Sequence, residues 1–362
     1  MTNKLKRVLV LSRYEKLGAS SRYRFYQYLP FLKDKGYSFT VSPLFSNNYL
    51  KRLYSNKTGI LFIIHIIISY LRRILIMTKL NYYNFIWLEK EALPWIPGFI
   101  EIELLKLSKN YIVDYDDAIF HNYDEHKLWI IRKTLGNKIK LIMQNATVVI
   151  VGNKYISQYA INAKSNKVHI QPTVVNLTNY PFKKFKYKID NFIIGWIGSP
   201  STSLHLNEIN QVLKNFCKST NSEVVAIGAK KEDLRGFDAT ILPWSKEIEA
   251  TEIQNFDVGV MPLPNTPWEK GKCGLKLIQY MASRLPVIGT PVGINHDIID
   301  HGVNGFQAIT HDDWYLYLSL LKTNPSLRKS MGTAGRKMVE RCYSLQNNLP
   351  KLNKIFTEIC DK

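Results

Sequence analysis

Between Glu269 and Phe306 the chain reads EKGKCGLKLIQYMASRLPVIGTPVGINHDIIDHGVNGF. This order of a glycine-broken loop, an amphipathic helix and a short apolar strand restricts the fold more than any other stretch. Gly271, Cys273 and Gly274 break the loop before helical spacing begins at Leu275. Pro286–Thr290 then reads as a strand, and Asn304-Gly305 as a turn. A glycine loop feeding a helix N-terminus exposes backbone N–H groups beside the positive end of the helix dipole, a geometry that suits a diphosphate.

The rest of the chain continues the same alternation of apolar strands and helical stretches, which predicts an α/β protein with parallel sheets. In the first half, strands are expected at Arg7–Ser12, Ser38–Ser42, Asn84–Leu88, Tyr111–Asp114 and Thr147–Gly152, with a helix over Ser21–Lys35. The lysine-rich stretch from Val168 to Asp190 has no helical period and reads as a linker. In the second half, strands are expected at Phe192–Gly198, Glu223–Gly228, Ala239–Leu242, Asp257–Pro262 and Pro286–Thr290. Helices are expected at Ser203–Lys218, Lys246–Asn255 and Leu275–Ser283. Three parts result: 1–190, 191–340, and a closing helix at 341–362 that returns to the first domain.

At 362 residues, 46% of them hydrophobic, the chain can bury two ordinary cores. Its four cysteines (Cys217, Cys273, Cys342, Cys360) form no CxxC pair, which argues against a zinc site or a disulfide framework and fits a reducing cytoplasm. The apolar run Val8–Leu11 is too short for a signal peptide. Charge is unevenly spread: residues 1–190 carry 30 Lys+Arg against 12 Asp+Glu, whereas residues 191–362 carry 19 against 17. Such asymmetry points to a polyanionic partner for the first half. No helix-turn-helix, zinc-finger, RNP or GXXG signature accompanies it, so an anionic membrane surface is favoured over nucleic acid; general surface lysine enrichment accounts for part of the excess.

One segment breaks the alternation. Gly59–Met77, GILFIIHIIISYLRRILIM, is interrupted by His65 and Arg72-Arg73 and falls short of a comfortable span of roughly 20 apolar residues. It reads either as an interfacial helix dipping into one leaflet, with Lys51, Arg52, Lys57, Arg72, Arg73 and Lys79 near headgroups, or as a helix packed on the first sheet.

The segments IIGWIGSPSTSLHL, NFDVGVMPL, PVIGTPVG, HGVNGF and RKSMGTAGRKMVERCYSL, with the linker HIQPTVVNLTNYPF, resemble the retaining family 4 glycosyltransferases, the "glycosyl transferases group 1" family. The donor loop is similar to a subgroup carrying Lys-Cys-Gly. The resemblance implies a GT-B fold, two Rossmann-like domains facing each other across a cleft, and a donor nucleotide sugar held by the second domain. The family usually places two glutamates eight positions apart around the donor loop; here those positions are Gly271 and Gln279, and the usual Arg and Lys after the first donor-domain strand are replaced by Ser199-Pro200-Ser201.

By this resemblance the donor is held by Gly18, Ala19, Gly198, Ser199, Lys272, Cys273, Gly274, Leu275 and Gln279. The amides of Gly198, Ser199 and the Gly274 helix start would face the diphosphate. Lys276 would stabilise the leaving diphosphate, Glu269 would stand in for the missing sugar-contacting carboxylate, and Gln279 would bond a ribose hydroxyl. In the first half, Asp116 and Asp117 of the Asp114-Tyr115-Asp116-Asp117 cluster end a strand, where α/β ligand sites form. They are placed at the acceptor hydroxyl, with Arg22, Arg24 and His121 as weaker contacts. A DxD pattern suggests a metal-dependent GT-A enzyme, but that reading conflicts with the second half, and no metal or other cofactor is expected.

The implied reaction is front-face transfer with retention, to a lipid-linked or glycan acceptor in bacterial surface polysaccharide assembly (O-antigen or capsule), by a cytoplasmic protein peripheral to the inner membrane face. A GT-B-fold sugar-nucleotide epimerase and a non-catalytic GT-B-like scaffold are the alternatives.

Overall fold

A computed structural model describes residues 5–55, 58–182, 191–234 and 236–360. The chain divides into two compact units, Met1–Thr173 with Asn348–Lys362, and Val174–Asn347. The expected boundary near Asp190 lies outside the described residues, as does Lys57.

The first unit is built on β1 (Lys6–Tyr14), β2 (Tyr37–Phe45), β3 (Phe85–Glu89), β4 (Tyr111–Tyr115), β5 (Val148–Val151) and β6 (Val168–Ile170). All pairs are parallel, in the order β2-β1-β3-β4-β5-β6. Parallel strands covered on both faces must be apolar on both faces. Accordingly Val8–Leu11 and every residue of β3, β4 and β5 are buried. The C-terminal helix Leu345–Cys360 sets the Phe356 ring against Phe85, Trp87 and Tyr37, with centroids 4.8, 5.0 and 5.5 Å away.

The second unit is built on β7 (Phe192–Ile197), β8 (Ser222–Ile227), β9 (Thr240–Leu242), β10 (Val258–Met261), β11 (Val287–Gly289) and β12 (Gly305–Gln307). These too are all parallel, in the order β12-β11-β10-β7-β8-β9. Phe192, Ile194, Trp196, Phe216, Val260 and Trp314 belong to one buried cluster. Asn304-Gly305 is not a simple turn: Gly305 opens β12, where a Cβ would meet the Val287 carbonyl oxygen at 2.4 Å.

Two expected helices are subdivided. In place of one helix over Ser21–Lys35 there is an α-turn Ala19–Ser21, a π-helical turn Arg22–Tyr26 and an α-helix Leu29–Lys33. Ser21 to Phe25 are all buried, and five successive residues cannot share one face of an α-helix. The wider turn, closed by Gln27 N donating to the Arg22 carbonyl at 3.1 Å, accommodates them. The stretch expected as Ser203–Lys218 starts as the 3₁₀ segment Pro200–Ile209, continues as the α-helix Asn210–Thr220, and ends on left-handed Asn221.

The apolar segment forms the helix Ile60–Met77. Phe62, Ile66, Ser69, Tyr70, Arg73, Ile76 and Met77 make a buried or half-buried stripe along its full length, and the remaining side chains are exposed. Arg73 lies on that stripe. Its expected place near headgroups is therefore corrected: it is 2% exposed, and Nη2 donates to the carbonyls of Ser12 at 2.7 Å and Ser42 at 2.9 Å. Burial lowers its pKa to about 10, with Glu101 and Glu89 opposing the shift.

Gly195 and Gly259 are paired across β7 and β10, and each lies under an aromatic ring. A Cβ on Gly195 would fall 1.8 Å from the Phe256 ring, and one on Gly259 2.2 Å from the Tyr280 ring. Tyr280 is fully buried and its hydroxyl accepts from Ile197 N at 2.9 Å, so the ring has nowhere to go. Gly259→Ala is expected to destabilise the protein by about 1–3 kcal/mol, the usual cost of overpacking, read as a lower melting temperature.

Candidate active site

Two clusters of polar side chains stand at the C-terminal ends of parallel strands, one in each unit; such strand ends are where α/β proteins place ligands. In the second unit, β7 runs into Gly198-Ser199. The Gly198 amide donates to the Ile227 carbonyl at 3.0 Å, and the Ser199 amide to Thr202 Oγ1 at 3.3 Å. The expectation that the Gly198 amide faces a diphosphate is thus corrected, because β8 already uses that donor. What Gly198 contributes is space: a Cβ there would lie 2.4 Å from the Trp196 ring and 2.8 Å from Thr202 Oγ1.

The glycine-broken loop ends at Gly274 in the left-handed region, φ 66°, and the helix Leu275–Ala282 follows. The first-turn N–H groups of Leu275, Lys276 and Leu277 have no acceptor within the helix. Lys276 projects from that turn; its Nζ lies 4.4 Å from the Trp196 ring centroid and 3.4 Å from Thr202 Oγ1. Burial, with nearby Lys272 adding to it, lowers the Lys276 pKa to about 7. Lys272 holds its Nζ 5.3 Å from the Trp268 ring, and Cys273 is buried. Leu275 is half-buried.

Glu269 is buried, accepts from Thr266 Oγ1, and has Oε1 3.4 Å from His205 Nε2. Burial, then the charge of Lys276, lowers the His205 pKa to about 4 despite Glu269, so this histidine is neutral near pH 7. With Nε2–H facing the carboxylate, Nδ1 is an acceptor, and it is buried without a hydrogen-bond partner. Gln279 is 3% exposed; its Nε2 donates to Glu249 Oε1 at 2.7 Å and to Tyr180 OH at 3.2 Å. Glu249 also accepts from Trp244 Nε1 at 2.7 Å.

In the first unit, Gly18 opens the turn after β1, where a Cβ would lie 2.5 Å from Tyr14 Cβ. Ala19 is exposed. Ser20 Oγ donates to Asp116 Oδ2, and Lys90 Nζ lies 2.8 Å from Asp116 Oδ1 and 3.0 Å from Asp117 Oδ2. Burial alone would lower the Lys90 pKa; Asp116, Asp117 and Glu89 outweigh it and raise it. Burial raises Glu89 to about 7, although Ser21 Oγ donates to it at 2.6 Å and the Arg13 amide at 2.8 Å. A carboxylate pair is what a divalent cation would need, and here both members hold Lys90.

Arg24 is committed to Asp114, Nη2 to Oδ1 at 2.7 Å, and to the Gln171 carbonyl at 2.7 Å. Burial raises the Asp114 pKa to about 6 against the pull of Arg24. Arg22 lies over the Tyr23 ring at 4.9 Å and donates to the Lys16 carbonyl at 3.3 Å. His121 engages Asp124 through Nδ1 at 2.9 Å and Tyr155 OH through Nε2 at 2.8 Å.

The structure therefore gathers Lys276, Glu269, Lys272 and Gly198 in one unit, and Asp116, Asp117 and the Gly18–Ser20 turn in the other. Sequence reasoning missed Lys90, His205, Trp196, Thr202 and Glu249. Lys90 directly follows β3, so the strand-end rule that singled out Asp116 and Asp117 would also have found it.

Residues 192–316 match the family described as glycosyl transferases group 1. No curated protein matches the chain. Among solved structures, a sucrose-phosphate synthase from Thermosynechococcus elongatus is similar with a TM-score of 0.71 and 13% identity, over 98% of this chain and 99% of that one. A glycosyltransferase from Rickettsia africae ESF-5 is similar with a TM-score of 0.67 and 14% identity, over 98% of each chain. Anabaena HepE in complex with UDP-glucose is similar with a TM-score of 0.65 and 13% identity, over 97% of this chain and 99% of that one. The family match over residues 192–316, on a fold of two parallel α/β domains shared with these structures, makes this chain a glycosyltransferase of the GT-B fold.

Proposed function

We propose that the protein transfers a sugar, with retention of anomeric configuration, from a nucleotide-sugar donor to a lipid-linked glycan acceptor in the assembly of a bacterial surface polysaccharide, O-antigen or capsule. The observation that carries the donor half of this reading is Lys276. It is a lysine in the first turn of a helix, beside Trp196 and Thr202, within the segment matched to the glycosyl transferases group 1 family. HepE, one of the similar structures, holds UDP-glucose.

In this scheme the acceptor hydroxyl attacks the anomeric carbon on the face from which the nucleoside diphosphate departs. The new C–O bond forms as the bond to the phosphate oxygen breaks, and the hydroxyl proton passes to the departing diphosphate. Negative charge grows on the diphosphate as the bond lengthens. A protonated Lys276 and the N–H groups of the Leu275–Ala282 helix start then bind the transition state more tightly than the ground state. In this scheme Glu269 orients a sugar hydroxyl, and His205, with Nε2 3.4 Å from its carboxylate, holds it in place. The lipid-linked acceptor and the pathway rest on the resemblance together with the basic, apolar surface of the first unit.

A nucleoside diphosphate such as UDP is expected to raise the melting temperature in the presence of EDTA, because a helix start and a lysine take the place of a divalent ion. A strict requirement for magnesium or manganese in both binding and turnover would count against this reading. Product analysis by NMR with the donor that stabilises best tests the stereochemistry: an inverted glycoside, or free sugar nucleotide released with no acceptor consumed, overturns it.

Lys276 also predicts a pH dependence. A dianionic ligand favours the charged lysine, so binding raises its pKa above the value of about 7 in the free protein. Below that pH the affinity is level. Above it each further unit requires proton uptake on binding, and affinity falls up to about tenfold per unit until the bound-state pKa is reached. Lys276→Met keeps the packing on Trp196 and removes the charge. It is expected to weaken UDP binding and turnover by about ten- to a hundredfold at pH 6 and to flatten the lysine-dependent slope. Titration calorimetry across pH 6–9 on both proteins reads the difference, and equal slopes would reassign Lys276 to a structural part.

A further inference from the structure

The Ile60–Met77 helix takes no part in the chemistry above, yet it turns nine large apolar side chains outward, among them Ile60 at 71% and Leu75 at 65% exposure. It is apolar over 18 residues, and most of that length is exposed. It is held to the first unit from end to end by the stripe from Phe62 to Met77. Arg73 is tied to the carbonyls of Ser12 and Ser42, and Tyr70 OH donates to the Pro94 carbonyl at 2.8 Å. To cross a bilayer the helix would have to break all of these. At about 1.5 Å per residue it is a rod of roughly 27 Å, lying flat on its own domain with one long side bare.

The bare surface does not stop at the helix. Pro94 leads into Trp95, 48% exposed, whose ring packs on Tyr123 at 5.1 Å and His126 at 5.9 Å. The chain then turns through exposed Leu128 into Trp129, which is 64% exposed and has Lys133 Nζ 5.7 Å from its ring. Tryptophans with an apolar body and a polar edge are enriched where membrane meets water.

Charge narrows the choice of occupant. From Lys35 to Leu88 the sequence holds seven Lys and Arg and no Asp or Glu. A second copy docked through this face about a two-fold axis would set like charge against like. An anionic bilayer offers both an apolar layer for the isoleucines and phosphates for the basic residues at their rim, among them Lys51, Arg52, Arg72 and Lys79.

We infer that the Ile60–Met77 helix, with Trp95 and Trp129, is a docking surface that lies in the plane of an anionic lipid bilayer, its bare side in the acyl boundary and its basic flanks among the headgroups. Docking of this kind needs neither donor nor acceptor, so it stands or falls apart from the transferase reading.

The test is sedimentation of the full chain with sucrose-loaded vesicles, one set of phosphatidylcholine alone and one of equal parts phosphatidylcholine and phosphatidylglycerol. Binding is expected on the mixed vesicles, roughly tenfold or more weaker on the neutral ones, with partial release at high salt, since headgroup attraction is screened within a Debye length. The double variant Ile67→Asp with Ile68→Asp changes two exposed side chains, so it should melt as the wild type does and lose at least about tenfold in vesicle affinity. Ile63→Ser with Leu71→Ser, also exposed, gives a milder loss and serves if the aspartates impair folding. Undiminished binding by a folded variant overturns the proposal. So does a wild type that ignores both vesicles while forming a dimer that the same substitutions dissociate, which would assign the face to a second copy. Retention of the wild type in the bilayer through a high-salt and alkaline wash would overturn the in-plane placement.

Discussion

Three successive charged residues, Glu89-Lys90-Glu91, leave the end of β3 and are all buried, so each must find a partner inside the protein. Their partners lie on several other elements of the first unit. Glu89 takes Ser21 Oγ and the Arg13 amide, which fastens the turn after β1. Lys90 adopts a positive φ of 63° and reaches Asp116 and Asp117, which fastens the loop after β4. Glu91 takes Tyr123 OH at 2.8 Å and Lys138 Nζ at 2.9 Å, and Lys138 also reaches Glu101 at 3.2 Å. The turn after β1 and the loop after β4 are thus set by hydrogen bonds and ion pairs to buried charged groups rather than by apolar packing. Ionic pairing of this kind suits a surface that must keep its shape while presenting polar groups, because removing one partner of a buried pair costs several kcal/mol.

The second unit solves its positioning problem with absent side chains. Gly195 and Gly259 let the Phe256 and Tyr280 rings lie directly on the sheet, and the Tyr280 hydroxyl in turn accepts from the Ile197 amide beside Gly198. The loop at Gly198 then clears Trp196 and Thr202, the two groups that receive Lys276. A methyl group at Gly198 would displace the Trp196 ring on which the lysine packs, and one at Gly195 or Gly259 would displace Phe256 or Tyr280. That lysine is kept half-buried against an aromatic face, where its charge is costly until an anion arrives.

The strands of both sheets were legible because buried parallel strands are continuous apolar runs bounded by polar turns. The two that escaped, β6 and β12, are three-residue edge strands, one inside the stretch read as a linker and the other at the Asn304-Gly305 turn. Asp116 and Asp117 were visible as a strand-end cluster, whereas their partner Lys90 lies 26 residues before Asp116 and joins it only through sheet order. Gln279 and Glu249 are likewise brought together by packing alone, and nothing in SPSTSLHL distinguishes His205 from a surface residue. Arg73 is the instructive miss. Its spacing from Phe62, Ile66, Ser69, Tyr70 and Met77 places it on the packed stripe, but its charge suggested the outside. Its Nη2 finds two backbone carbonyls at the sheet, which favour the inward position.

The charge excess of the first half also has a definite location. Among its described buried residues, Arg22, Arg24, Arg73, Lys90 and Lys138 are matched by Glu89, Glu91, Glu101, Asp114 and Asp116. The interior is neutral in sum, so the net positive charge resides outside the core, where it acts over a distance on other bodies and not on the fold. Residues 191–362, with 19 basic and 17 acidic side chains, project almost no net field. An anion near the second unit is therefore attracted at short range only, by local groups such as one helix start, Lys272 and Lys276. The long-range field of the protein comes from the first half. Short-range and long-range electrostatics are thus divided between the halves of the chain, so a substitution can change one and leave the other as it is.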